Sequence, residues 1–270
     1  MSRIVLCFFA ACTACVWADT LDFSQQKVVV TLSEDGGVAF FSDNNMDARA
    51  LSVLEAASYD RDLTVDDFLA AHPREAARLK RMTLNGQRGA TKYLSDGSVS
   101  TEYDFSLTGA VLNQLVPKTG GGRLLGRVAC PCCGQEWPEG REVPPGVELV
   151  PYENGRTPAY TGILIDCRGL GYEPAVFPKV VTEADEEVYG PGFVEEKELA
   201  ANGMVAYYRT RTEALMSERV GASPLVVRAI GITGMNSCDP VVTAYDAARI
   251  HGSRSNLGIM ARCRVGFLVD

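Results

Sequence analysis

The chain has 270 residues and a mass of 29.1 kDa, enough for one large domain or two ordinary ones. Its 46% hydrophobic and 22% charged residues exclude a disordered tail, a collagen-like fibre and a polytopic membrane protein. The net charge is −8 and Lys and Arg are not clustered, which argues against nucleic-acid binding, because neutralising phosphates takes grouped basic side chains. The two histidines, His72 and His251, argue against a His-rich metal site.

Residues 1–18 have the pattern of a secretory signal peptide. Arg3 supplies the positive charge, residues 4–11 are apolar, and Ala18 ends a small-residue cleavage site. The apolar run is too short to cross the ~30 Å hydrocarbon core as a helix. We therefore predict cleavage after Ala18, no transmembrane helix in the mature chain, and export to the periplasm or the periplasmic face of the outer membrane. A lipid anchor on Cys12 or Cys15 is the alternative.

Cleavage reduces the nine cysteines of the chain to six, and export permits disulfides. Because a chain of this length buries a core without disulfides, we expect them to act as local staples. The six candidates for disulfide formation are Cys130, Cys132, Cys133, Cys167, Cys238 and Cys263.

The predicted fold class is α+β, with three regions in the mature chain. Residues 19–116 form an N-terminal module in which helices pack on an antiparallel sheet. Residues 117–158 form a linker rich in Gly, Pro and Cys, and residues 159–270 form a second, mixed α/β module. No repeat of fixed period is present.

The N-terminal module begins with predicted strands at 28–32 and 38–41. Apolar residues at helical spacing then indicate a helix capped by Asp43 or Asn44. Two further helical segments are indicated by a capping box at 64–67 and, after Pro73, by residues 74–81.

A strand over 99–107 is the clearest local signal in this module. It is preceded by the turn signal Asp96-Gly97, which predicts a hairpin with a strand ending near residue 93. Alternate residues are apolar and face a core, and the rest are left to solvent or a neighbour. The residues expected on the solvent side are Ser100, Glu102, Asp104 and Ser106.

The linker contains the segment Cys130-Pro131-Cys132-Cys133-Gly134, which fits the C-P-x-C-G knuckle of zinc ribbons. The second pair of ligands that a ribbon needs is missing from the sequence. Cys130 and Cys133 also have the spacing of thiol oxidoreductases, although the prolines and glycines around them do not predict the helix that such chemistry uses. Structural disulfides, a zinc site on Cys130 and Cys133, and redox chemistry stay open, with disulfides favoured.

The C-terminal module is predicted from shorter signals. A helix is expected to open at Asp239-Pro240 and to end at Gly252, and the last strand is expected to alternate inward from Ala261 to Val269. The remaining predicted strands are 162–167, 176–181 with an edge position or a bulge at Pro178, 204–210 and 225–232, and the remaining helices are 194–201 and 213–220.

The other motifs favour structural roles. The glycine-rich segments 120–126 and 168–171 lack the residues of phosphate-binding loops and are predicted to be turns. Asp166 and Arg168 are expected to pair, and His251 is expected at a helix end, where it can satisfy carbonyls. Neither a G-x-S-x-G motif nor a nucleophile triad is present. We therefore predict no catalytic residue, no cofactor and no enzymatic activity.

The order of the short motifs resembles the lipoprotein-twenty family, which includes the FlgP-type flagellar proteins of the bacterial outer membrane. The matching segments of the N-terminal module are 47–50, 56–57, 63–68, 96–98 and 107–109, with Gly86 and Tyr93. The C-terminal module resembles a segment that often accompanies that family, through residues 160–170, 174, 178–179, 188–190 and 246–250. The chain departs from the pattern in lacking a good lipoprotein signal and in having the knuckle.

This resemblance implies a non-enzymatic envelope protein associated with the flagellar apparatus, with protein partners and self-association, since some members form rings. Two other functions are kept as alternatives. One is a periplasmic thiol–disulfide oxidoreductase that uses Cys130 and Cys133, and the other is a module that binds a ligand or the cell wall.

Overall fold

The computed structural model describes residues 19–34, 43–95, 97–118, 120–153 and 158–270. The predicted signal peptide, with Cys12 and Cys15, and the predicted strand at 38–41 lie outside the described residues. The fold is α+β, as predicted from the sequence.

An antiparallel sheet in the order β1-β2-β4-β3 forms the N-terminal part. Its strands are β1 (Thr20–Asp22), β2 (Lys27–Glu34), β3 (Gln87–Tyr93) and β4 (Val99–Ser106). Tyr93 pairs with Val99 across the predicted hairpin, whose turn contains Gly97 at φ +86°. One face of the sheet is buried under helices, through residues such as Val30 and Phe105.

The helices of this part are α1 (Asp43–Glu55), α2 (Val65–Ala71), α3 (Pro73–Leu79) and α4 (Ala110–Leu115). The capping box is confirmed, because the Thr64 side chain accepts from the Asp67 amide and the Asp67 carboxylate accepts from the Thr64 amide. Pro73 occupies the first turn of α3, where its missing N–H costs nothing, and the chain bends there as predicted.

The solvent side of β4 differs from the prediction. Ser100 is buried, with 2% of its surface exposed. Glu102 and Asp104 are half-buried and form ion pairs with Lys92 at 2.8 Å and Lys27 at 2.7 Å. The expectation of a residue available to solvent or a neighbour is therefore wrong for Ser100, because β4 lies between β2 and β3, whereas Glu102 and Asp104 remain partly exposed and pair with side chains of those neighbouring strands.

The linker contains a two-stranded antiparallel sheet formed by β5 (Val128–Ala129) and β6 (Val150–Pro151). Most of its other described residues are in turns or irregular backbone and are exposed or half-buried.

A parallel sheet in the order β10-β14-β7-β11 forms the centre of the C-terminal part. Its strands are β7 (Ile163–Asp166), β10 (Ala206–Tyr208), β11 (Leu225–Arg228) and β14 (Val265–Leu268). The predicted alternation from Ala261 to Val269 is wrong. All four residues of β14 are buried, because this strand lies inside a sheet covered on both faces, and Ala261 belongs to a helix.

A mixed sheet in the order β12-β13-β8-β9 lies beside the parallel sheet. Its strands are β8 (Val180–Thr182), β9 (Glu187–Tyr189), β12 (Gly231–Thr233) and β13 (Asp239–Val242). The helices of the C-terminal part are a 3-10 helix at Pro191–Phe193, α5 (Glu196–Asn202), α6 (Arg211–Met216), α7 (Ala244–Ile250) and α8 (Arg254–Ala261).

Three element predictions are corrected here. Residues 239–242 form β13 rather than the start of a helix, and α7 begins after Thr243, whose side chain accepts from the Asp246 amide. The predicted strand 225–232 is two strands in different sheets. The predicted strand 176–181 begins only at Val180 and is interior rather than at an edge, although its pairing with β9 does contain a bulge.

The N-terminal and C-terminal parts share one buried cluster. The Tyr59 ring meets the Phe177 ring edge-on at 5.0 Å between centroids. The amides of Val176 and Phe177 donate to the carbonyls of Ser58 at 2.9 Å and Tyr59 at 2.8 Å. The two predicted modules therefore bury apolar side chains against each other. Among the described residues, no helix combines the length and apolar character needed to cross a membrane.

Candidate functional site

The cysteine knuckle, residues 130–134, is the tip of a small β-hairpin. Ala129 bridges to Glu136, and the Cys130 amide donates to the Gln135 carbonyl at 2.9 Å. The Gly134 amide closes the turn on the Cys130 carbonyl at 2.9 Å. Gly134 has φ +70°, which a residue with a side chain adopts only at a cost, so the glycine of the motif is needed for this turn.

The knuckle places two backbone amides next to one thiol. The amides of Cys133 and Cys132 lie beside the Cys130 thiol, and their influence lowers its pKa. Cys133 lies in the same turn, after Cys132. Cys130 is half-buried, whereas Cys132 and Cys133 are exposed. The turn therefore presents a pair of neighbouring, accessible thiols, one of which is stabilised as thiolate.

A turn rather than a helix follows these cysteines. Thiol oxidoreductases lower the pKa of the attacking cysteine at a helix N-terminus, and here two turn amides have the corresponding effect. Among the described residues, no group of three or more His, Cys, Asp and Glu side chains is arranged to hold a metal ion. The knuckle alone supplies half of a tetrahedral thiolate site.

The other three cysteines are buried inside the C-terminal part. Cys167 follows β7, Cys238 precedes β13 and Cys263 follows α8. Burial raises the pKa of all three thiols, that of Cys263 to about 11. They are therefore poor nucleophiles and poor metal ligands at neutral pH. All six described cysteines are free thiols in the structure, so the disulfides expected from the sequence stay a prediction.

His251 has a different role from the one its sequence position indicates. The imidazole is buried, its Nδ1 accepts from the Leu125 amide at 2.8 Å, and its Nε2 donates to the Val188 carbonyl at 2.7 Å. Burial lowers the pKa of His251, which favours the neutral ring that these two bonds require. The side chain thus joins the linker to β9, and the expectation that it satisfies carbonyls at its helix end is wrong.

Asp166 and Arg168 pair as predicted, at 2.8 and 2.7 Å, and this pairing lowers the pKa of Asp166. They lie where β7 ends, at the carboxyl edge of the parallel sheet. The glycines of the loop that follows, Gly169 and Gly171, adopt positive φ, in agreement with a turn. The Arg168 guanidinium is thereby held by the neighbouring Asp166 carboxylate.

A cleft of about 1430 Å³ lies beside the knuckle. Its walls come from the linker, through Trp137 and Arg141, and from the C-terminal part, through Phe193 and Leu257. Arg141 lies over the Trp137 ring at 5.2 Å, and the indole N–H donates to the Arg141 carbonyl at 3.0 Å. Sequence reasoning missed this cleft, because its walls are distant in the chain.

These features define an α+β protein with a turn of three cysteines at its surface beside a wide cleft. In comparisons with known proteins, residues 162–270 are similar to the family described as Treponema pallidum Tp0624, second domain. The match begins at the residue before β7 and covers both C-terminal sheets. Curated proteins gave no match.

Proposed function

We propose that this chain is an exported, non-enzymatic structural or assembly protein of the bacterial cell envelope, associated with the flagellar apparatus and with motility. The export signal and the lipoprotein-twenty resemblance support the location. The observation that carries the assembly role is the exposed edge of the N-terminal sheet, formed by β3. This strand is exposed at nearly every position and pairs with β4 on its inner side.

An edge strand of this kind is a template for pairing with another chain. Tyr93 at its end is 82% exposed and offers an apolar anchor at the same edge. The opposite edge of the same sheet is formed by β1, so a second copy whose β1 edge adds to β3 makes a contact that every subunit can repeat. Head-to-tail contacts that repeat by rotation close into rings.

The test is deletion of the gene together with fractionation of the native cells. We expect the protein in the envelope fraction and a defect in motility or envelope integrity on deletion. Tyr93→Glu should weaken self-association measured by cross-linking, because it places charge on the edge. Tyr245→Glu is the matched control, since Tyr245 is 72% exposed on α7, away from this strand. Equal effects of the two variants, or normal motility in the deletion strain, would contradict the proposal.

The oxidoreductase alternative rests on the lowered pKa of Cys130 and its neighbouring thiol. A strain that carries both Cys130→Ser and Cys133→Ser distinguishes the oxidoreductase alternative from the assembly role. If oxidised substrates accumulate in that strain while motility is intact even in the deletion strain, the oxidoreductase replaces the assembly protein. We expect the reverse pattern, in which the deletion impairs motility and thiol turnover is unchanged.

The cleft supports a binding module as a second candidate. Its volume suits a ligand of several sugar or amino-acid units, and Arg141 and Trp137 on one wall offer a charge and a stacking surface. Soluble peptidoglycan fragments that raise the Tm of the protein, but not that of Arg141→Ala, would favour this candidate. Fragments without any effect on Tm would exclude it as a cell-wall site.

A further inference from the structure

The cysteine knuckle is half of a metal site in the chemical sense. A structural Zn²⁺ is almost always held by four ligands in a tetrahedron, commonly thiolates. Cys130 and Cys133 lie in one hairpin turn, which the Gly134 amide closes on the Cys130 carbonyl at 2.9 Å, and neither residue is buried. Cys130 and Cys133 would supply two of the four ligands of that tetrahedron and leave the other two ligand positions open.

The described part of this chain does not supply the other two ligands. Cys167, Cys238 and Cys263 are buried in the C-terminal part with pKa values raised by burial. His251 uses both ring nitrogens in hydrogen bonds to backbone atoms. His72 contacts the Phe68 carbonyl at the end of α2. Glu136, the acidic residue nearest along the chain, is paired with Arg127.

The hairpin tip is accessible to a second copy of itself. Residues 131–136 are exposed without interruption, so two tips can meet without displacing other parts of the chain. The segment from Cys130 to Gln135 carries no acidic or basic side chain, and the flanking Arg127 and Glu136 neutralise each other. When two tips approach each other, the electrostatic repulsion between them therefore comes from the thiolates. A divalent cation neutralises this charge.

We propose that Cys130 and Cys133 bind Zn²⁺ as half of a tetrathiolate site that the same two residues of a second copy complete. The contact is isologous, with a two-fold axis through the metal ion. Each thiol loses its proton to water on binding, so the affinity falls as the pH is lowered. Cys132 lies between the two ligand positions of the C-x-x-C pair and serves as the internal control.

This inference goes beyond the assembly role proposed above and does not depend on it, because it concerns the purified protein in solution. It adds a metal-dependent contact between copies that is separate from the edge of β3. If the purified protein does not bind zinc, cell fractionation and the deletion phenotype still test the envelope role. If the deletion and fractionation experiments contradict the envelope role, the metal stoichiometry still tests the zinc site.

The experiment uses the full chain purified under reducing conditions, with metal content and mass measured before and after a chelator. We expect roughly one Zn²⁺ per two chains, a dimer by sedimentation, and return to monomer when the metal is removed. Cys130→Ser and Cys133→Ser should each abolish metal binding and the metal-dependent dimer. Cys132→Ser should retain both. Because none of the three residues is buried, we expect the variants to fold, which circular dichroism checks.

Co²⁺ in place of Zn²⁺ reports the ligand set directly. Four thiolates give the strong visible bands of a tetrahedral site, and these bands should disappear in Cys130→Ser and Cys133→Ser. One metal ion per monomer, no metal bound, or equal loss in Cys132→Ser would each overturn the proposal. A metal-independent dimer held by a disulfide through these cysteines would also overturn it.

Discussion

Asp239 is a carboxylate in an environment that disfavours its charge. It is 1% exposed, its Oδ1 accepts from the Lys179 amide at 2.8 Å, and its Oδ2 is buried with no hydrogen-bond partner among the described residues. Burial raises the pKa of Asp239 to about 6. The folded protein therefore binds this proton more tightly than the unfolded chain, whose aspartates titrate near 3.9.

The raised pKa of Asp239 fixes the direction in which pH changes the stability of the protein. As the pH rises from about 4 through 6, the folded state must ionise a buried carboxyl, and this residue's contribution to the free energy of unfolding decreases. Asp239→Asn removes the titration and keeps an acceptor for the Lys179 amide. Relative to the unsubstituted protein, we expect the variant to gain about 1.5 kcal/mol between pH 5 and pH 8, measured by urea unfolding. A difference between the two proteins that does not change with pH would contradict this assignment.

Single residues also show where sequence reasoning stops. The Asp166–Arg168 pair could be predicted because the two residues are neighbours in the chain. The partners of His251 could not, because Leu125 and Val188 are distant in sequence and meet only after folding. The sequence Asp239-Pro240 predicts the opening of a helix, because Asp-Pro often has that role, but Thr243 caps the helix instead.

At the scale of elements, the β3–β4 hairpin depends on one glycine. Gly97 has φ +86°, and an added Cβ would meet open space within 4 Å. Gly97→Ala should therefore cost about 1 kcal/mol through backbone strain alone. The matched control is Gly231→Ala in β12, which also meets open space but lacks a positive φ. Urea unfolding of both variants checks this, and an equal loss in the two would show that the turn conformation is not responsible.

Elements were predictable where local signals decide them. The capping box of α2, the break at Pro73 and the hairpin before β4 all rest on interactions within a few residues. The segment 225–232 predicts a single strand, because most of its residues are apolar. It divides where the Ala229 amide bonds to Asp166 in one sheet and the Ile230 amide bonds to Val241 in the other. Such pairing is decided by partners distant in the chain.

On the scale of the whole molecule, the shared core predicts cooperative unfolding. The Tyr59 ring meets the Phe177 ring, the Val176 amide donates to the Ser58 carbonyl, and the Gly109 amide donates to the Ala200 carbonyl. Separating the N-terminal and C-terminal parts would expose this surface to water. We expect one calorimetric transition in which the calorimetric and van't Hoff enthalpies agree. Two resolved transitions would show that the parts unfold independently.

As with the fold, one feature of the candidate site could be predicted from local sequence and the others could not. The cysteine knuckle is a local motif, so its turn could be predicted from five consecutive residues. The cleft beside it and the exposed edge formed by β3 depend on how the linker and the sheets pack. Neither has a sequence signature, and both had to come from the structure.

The central claim is that this protein works by self-association in the cell envelope. Its most direct test is sedimentation of the native protein, extracted in mild detergent from the envelope fraction of the cells that make it. The assembly role requires particles containing many copies of the chain in that fraction, and Tyr93→Glu should reduce their size. A monomer recovered from the cytosolic fraction would contradict the claim.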